Sequence, residues 1–288
     1  MRITNLMIQR NLMSGLRGRM AAIATATNQA STGRRINTVS DAPVDASQVM
    51  RLQSQVNDLQ QYIRNGTSAT TKLSVEDAAI SSLSGVLTTA KSVAMSTTAP
   101  SLTDPSRTSA IRQVTTLKEQ LVALGNSQVG DQYIFGGDYS TTPPFQSNGT
   151  FVGNGASPTV DIAPGVSTPV THSGQPLFTD AITAVNNLLN QLQTGTPDQI
   201  NACVTDLNNA MQGALQTQSE VGERMQSVKD TGAQLATQSS ALLDQRDALA
   251  NVDPAQAIVT LQSQQSALEQ AYAVVNRVMQ TTLTDYLK

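Results

Sequence analysis

Gly33-Arg34-Arg35-Ile36-Asn37-Thr38-Val39-Ser40-Asp41-Ala42-Pro43-Val44-Asp45, or GRRINTVSDAPVD, sets two arginines and two aspartates close together in an otherwise bland, polar chain. Asp41 and Asp45 lie four residues apart, a spacing that can place both on one helical face and suggests a cation site. The stretch also has every feature of a joint. Gly33 is placed to end one helix, and the positive charges of Arg34 and Arg35 favour that helix's C-terminal end. Ser40 or Asp41 can accept hydrogen bonds from the first free N–H groups of a following helix. Pro43 is tolerated in its first turn, and Asp45 suits its positive end. The joint is the favoured reading, carried by Arg34, Arg35, Ile36, Asn37, Ser40, Asp41 and Pro43.

A helix must then precede this stretch, and another must follow. Upstream, steps of three and four give Leu6, Gln9, Met13, Leu16, Met20, Ile23, Thr27 and Ala30, six of the eight apolar. That is the seam of a coiled coil. The C-terminal segment repeats it with Ile258, Leu261, Gln265, Leu268, Tyr272, Val275, Met279, Thr282 and Tyr286. Each run spans about 45 Å as a helix at 1.5 Å per residue, so the two ends are matched partners. Residues 1–40 hold six arginines and no acid, whereas residues 220–288 hold eight acids and five bases. The ends are therefore also electrically complementary.

Downstream, Val49, Leu52, Val56, Leu59, Ile63 and Leu73 form one stripe that continues through Ile80, Leu83 and Leu87. This helix is expected to end before Pro100. Residues 107–129, with Ile111, Val114, Leu117, Leu121 and Leu124, read as a returning helix, and residues 198–248 as another long amphipathic run. Residues 131–178 differ in texture: they hold seven of the 18 glycines, six of the 11 prolines, all four phenylalanines and no Lys or Arg. Tyr133-Ile134-Phe135, Thr150-Phe151-Val152 and Thr159-Val160-Asp161-Ile162 read as short strands between turns. The fold class expected is mainly α, an elongated rod of long coiled-coil helices with paired termini and a small β-rich insertion. Its divisions are 1–43 with 250–288 as a terminal coiled coil and joint, 44–130 with 179–249 as a helical rod, and 131–178 as an outer β insertion.

The composition excludes several functions. A hydrophobic content of 39% with 3% aromatics and no Trp suits thin seams between helices rather than a thick core. A net charge of −3 gives no bulk attraction to nucleic acid. No apolar run reaches the length of a membrane span or a secretory signal core. The single cysteine, Cys203, reads as a small buried hydrophobe, and the single histidine, His172, as an exposed loop residue. No nucleophile with a base, tuned carboxylate pair or metal-ligand spacing is visible, so catalytic residues, cofactors and metals are all read as none. An enzyme within residues 131–178 is the contrary reading.

At GRRIN followed by Ser40 and Asp41, the sequence resembles the flagellin superfamily. Tyr133-Ile134-Phe135-Gly136-Gly137-Asp138-Tyr139-Ser140-Thr141-Thr142-Pro143-Pro144-Phe145 is similar to a signature of the hook-associated members that ordinary flagellin lacks. The first sixteen residues and residues 252–287 fit the same superfamily. The resemblance implies a structural subunit of the bacterial flagellum, with filament flagellin as the alternative. It implies passage through the flagellar type III export channel, an export chaperone, an extracellular location, and assembly as a ring between hook-associated protein 1 and flagellin. No nucleic acid or membrane partner is implied. The assembly interface is expected at Leu6, Met13, Leu16, Met20, Ile23, Leu261, Leu268, Val275 and Met279.

Overall fold

The computed structural model describes the backbone of residues 2–98, 104–139 and 141–286, and the side chains of residues 7, 10–98, 104–139 and 141–277. Among these it holds six helices and two small two-stranded sheets. In chain order they are α1 (Arg2–Thr32), α2 (Pro43–Thr97), α3 (Asp104–Gly125), β1 (Gln128–Val129), β2 (Gln132–Tyr133), β3 (Thr159–Ala163), β4 (Val166–Pro169), α4 (Leu177–Thr194), α5 (Pro197–Ala250) and α6 (Pro254–Tyr286). The chain divides into two compact units. One is residues 1–58 with 238–288, and the other is residues 59–237.

Three of the helices open on proline, whose missing N–H belongs to the turn that has no intrahelical acceptor. Before α5, Thr196 and Gln199 form a reciprocal cap. The Thr196 N–H donates to Gln199 Oε1 at 2.8 Å, and the Gln199 N–H donates to Thr196 Oγ1 at 3.5 Å. Before α6, Asp253 Oδ1 accepts from the Ala255 N–H at 2.8 Å. Before α2 stands Ala42, whose carbonyl accepts the first helical bond from Ala46.

In the 1–58/238–288 unit, α1 packs along α6. The start of α2 and the end of α5 join them through Ala46, Leu52, Val56 and Ala250, all buried, and through Arg246 Nη1, which donates to Gln53 Oε1 at 2.7 Å. This unit is thinly packed. On α1 and α6, only Ala26 and Ala257 are buried among the described side chains.

The 59–237 unit has the main core. From α2 it takes Leu73, Ile80, Leu83 and Leu87, and from α3 Val114, Leu117 and Leu121. The helix α4, not separately read from the sequence, adds Leu177, Phe178, Ala181, Ile182, Val185, Leu188 and Leu192 on one stripe. The α5 contribution is Ile200, Cys203, Leu207, Val221 and Val228. Side chains fasten α2 to α5 in antiparallel order: Thr88 to Met211 and Asp77 to Gln218.

The β segment shares this core. Ile134, Phe135, Phe145, Ile162 and Val170 belong to the same buried cluster as the helices. The Phe135 and Phe178 rings meet edge to face at 4.7 Å. Phe145 lies 5.9 Å from Phe178 and 5.1 Å from Phe151, so all four phenylalanines form one group. The β3–β4 hairpin turns on Pro164-Gly165, with Gly165 at φ +72°, the proline-then-glycine order of a type II turn. The Tyr133 and Thr159 pieces read from sequence lie in strands, whereas Phe151 makes only an isolated bridge to Phe145.

Some helical glycines contribute nothing but backbone freedom. At Gly213, exposed in the middle of α5, an added Cβ meets no atom within 4 Å. Gly213→Ala should therefore raise the unfolding free energy by about 0.5–1 kcal/mol, seen as a higher urea midpoint at unchanged slope.

Candidate assembly site

The helix pair α1–α6 places the expected interface residues in two classes. Leu16, Ile23, Leu261, Leu268 and Val275 are half-buried within the single chain. Leu16 and Val275 line one shallow groove together with Leu12, Gly15, Arg19, Ala271 and Val274. Met13 and Met20, by contrast, are 49% and 55% exposed. The stripe read from sequence is thus corrected at these two positions. The side that α1 covers passes through Leu12, Leu16 and Ile23 to Ala26, one step away from Met13 and Thr27. Leu12 and Met13 are adjacent apolar residues, so spacing alone leaves the phase open. The small Ala26 is buried on the covered side, where packing against a neighbour needs little bulk. The side chains of Leu6 and Met279 lie outside the described residues. Met7, Ile258, Val259, Tyr272 and Val274 add to the exposed apolar surface of this helix pair.

At the joint, Gly33 ends α1 at φ +68°, the left-handed conformation that costs glycine nothing. Its N–H donates to Gln29 O at 2.9 Å, and its carbonyl accepts from Val252 N at 3.0 Å. The next residues cross to the end of α5. The Arg35 and Ile36 N–H groups donate to Ala250 O at 2.7 and 3.3 Å, and Arg34 forms a bridge with Asn251. The Arg35 guanidinium donates to Leu249 O from both Nε (3.0 Å) and Nη2 (2.7 Å), while Nη2 also meets Asp45 Oδ2 at 2.7 Å. The sequence reading set Arg35 against the end of its own helix. The structure sets it against the last carbonyls of α5, where a cation is equally favoured by the helix dipole.

Asp41 also departs from expectation. Its Oδ2 does not bond the first turn of α2. It turns back to accept from the Asn37 and Thr38 N–H groups at 2.9 and 2.8 Å, closing the loop on itself. Asn37 Nδ2 donates to Arg34 O at 3.3 Å, Ser40 is exposed, and Pro43 begins α2. Ile36 is half-buried. With Asp45 bonded to Arg35 and Asp41 to backbone N–H groups, the two aspartates do not converge. No group of three or more metal-ligating side chains exists among the described residues.

The N–H of Thr38, then that of Asn37, hold the Asp41 carboxyl below the ordinary aspartate range. A depressed folded value means that the ionised form favours the closed joint. That contribution is complete above the ordinary range, about 3.9, and is lost as pH falls through the lower folded value. In wild-type protein the Thr38 and Asn37 amide shifts should move together over that acidic interval. In Asp41→Asn the movement should be gone.

The signature segment lies in the other unit. Its Phe135 and Phe145 are buried in the aromatic group, and Asn126 holds Phe145 from both sides. Asn126 Oδ1 accepts from Phe145 N, and Nδ2 donates to Phe145 O, both at 2.9 Å. Gly137 is at φ +68° beside Asn154, whose Oδ1 accepts from Asp138 N at 2.9 Å. Asn126 and Asn154 had no signal in sequence spacing, since each acts on a residue 19 or 16 positions away. Cys203 is buried, and burial, then the Asp206 charge, push its thiol pKa up. His172, expected exposed, is mostly buried.

Residues 3–140 match the family model of the bacterial flagellin N-terminal helical region. The chain carries a flagellin-type N-terminal region. The flagellin-superfamily resemblance read on GRRIN is borne out by this match. The chain is 27% identical to Flagellar hook-associated protein 3 of Salmonella typhimurium, across 94% of its own length and 95% of that protein's. Its fold is similar to that of a flagellar hook-associated protein of Vibrio parahaemolyticus, with a TM-score of 0.68 at 18% identity, covering 73% of this chain and 99% of that one. FlgL of Bacillus cereus gives 0.61 at 19%, covering 68% and 99%. The structural likenesses establish the fold, which is mainly α with a small β-rich insertion.

Proposed function

We propose that this chain is a structural subunit of the bacterial flagellum, an adaptor that joins the hook, through hook-associated protein 1, to the flagellin filament. The observation that carries the reading is the end-to-end similarity to a hook-associated protein 3, in a chain whose YIFGGDYSTTPPF segment places Ile134, Phe135 and Phe145 in the core. The paired terminal helices, with exposed Met13 and Met20 beside half-buried Leu16, Ile23, Leu261, Leu268 and Val275, are the surface that assembles. Leu6 and Met279 extend it. Neighbouring subunits in a ring, hook-associated protein 1 on one side and flagellin on the other, supply the burial that the single chain lacks. The three-part division at 1–43/250–288, 44–130/179–249 and 131–178 follows this use, as a terminal assembly domain, a helical domain and an outer β insertion. The chain works outside the cell after export, with a chaperone covering the terminal helices beforehand, and it performs no catalysis.

Negative-stain imaging of the purified chain tests the proposal. Monomers or short rings are expected. Long filaments grown from this chain alone would replace the adaptor with filament flagellin.

A further inference from the structure

The chain has one histidine, and the fold sets it between two carboxylates. His172 follows β4 in the stretch 170–174, whose neighbours Val170, Thr171 and Ser173 are buried. Its backbone N–H donates to Glu76 Oε1 at 2.9 Å, and its ring Nδ1 lies 2.6 Å from the same oxygen. Ring Nε2 lies 3.3 Å from Glu220 Oε2. Glu76, on α2, is 0% exposed, and its Oε2 is buried without a hydrogen-bond partner. Glu220 is on α5 and remains in contact with water.

A carboxylate removed from water needs a compensating charge, and no lysine or arginine is bonded to Glu76 among the described residues. One turn before it, Lys72 is held by Gln132 Oε1, and the adjacent Asp77 accepts from Gln218. On α5, Arg224 stands one turn beyond Glu220, with Nη1 buried and unpaired. The strand side offers no other charge, since residues 162–179 contain no Asp, Glu, Lys or Arg. A neutral imidazole has one N–H, whereas bonds to two ionised carboxylates require two. We propose that His172 is a proton-dependent fastener: as imidazolium it ties α2 to α5 through the 170–174 stretch, and it releases that tie when the ring proton leaves.

The bound proton favours the fastened state, so the stability that the tie contributes is present on the acid side of the ring's titration and is lost as pH rises through it. Because the histidine is single, its ring nitrogens give one unambiguous set of nuclear resonances. These resonances, amide exchange and thermal melting are to be followed together in the full chain as pH is raised from acid to alkaline. Both ring nitrogens should carry hydrogen at the acid end. As the second proton leaves, amides of residues 171–174 should exchange about tenfold faster, and the wild-type melting temperature should fall by about 2 °C more than that of His172→Gln, consistent with loss of one partly buried ionic contact. A ring that stays a neutral single tautomer throughout overturns the proposal. So does a ring titration that leaves exchange at 171–174 and the melting temperature unchanged. The wild-type series decides the matter by itself if His172→Gln does not fold.

Discussion

Met13→Asp combined with Met20→Asp is expected to abolish incorporation into the flagellum while leaving the isolated chain's stability within about 0.5 kcal/mol of wild type. Both methionines are about half exposed on α1, so in the single chain an aspartate at either position keeps its hydration and surface substitutions of this kind cost little. On the assembly surface proposed above, the same positions become covered. Full burial of a methionine contributes roughly 1.5–3 kcal/mol, and an unpaired carboxylate placed in the seam costs more than that burial returns. A loss of about 3 kcal/mol per contact weakens each contact roughly a hundredfold, and a ring multiplies it. Cells carrying the double variant should be non-motile, while the purified variant melts as wild type does. Leu268→Asp and Val275→Asp form the contrast. Both residues are half-buried already, so these changes should also loosen α1 from α6 in the free chain, seen as faster amide exchange in both helices.

Phe178→Ala is the largest single loss of stability expected. Phe178 is fully buried at the head of α4 and touches the rings of Phe135 and Phe145, which come from the signature segment. Removing it leaves a cavity worth about 3–5 kcal/mol, with about 0.5–1.5 kcal/mol of ring pairing for each partner included in that loss. Against a total of about 5–15 kcal/mol, the β segment should lose its fixed packing. Urea unfolding should show the midpoint shift, and the near-ultraviolet tyrosine signal from half-buried Tyr133 should weaken. Phe178→Leu should restore most of the stability by refilling the space.

What could be read from sequence follows the range of the interactions involved. The long helices were legible because their stripes repeat every turn: Val114, Leu117 and Leu121 were expected on one face and are all buried. The change of texture at residues 131–178 marked a β-rich segment, and GRRINTVSDAPVD lies where α1 gives way to α2. The helix α4 was not read as a separate element because its first turn carries the last phenylalanine of that segment, although Gly195-Thr196-Pro197 marks its end. Partner choice was beyond reach. Asp41 has N–H groups available on either side, and its conformation, not its spacing, selects Asn37 and Thr38. Arg35 finds carbonyls 214 residues away. Glu76 gave no sign of being buried against a histidine 96 positions later. For Met13 against Leu12, two adjacent apolar residues left the phase of the helix undetermined until α6 was in place.

The adaptor role is tested most directly by locating the chain on isolated flagella. Antibodies raised against the exposed hairpin of residues 159–169 and carried on gold particles should mark a single narrow band where hook meets filament. Labelling along the whole length of the filament would contradict the account.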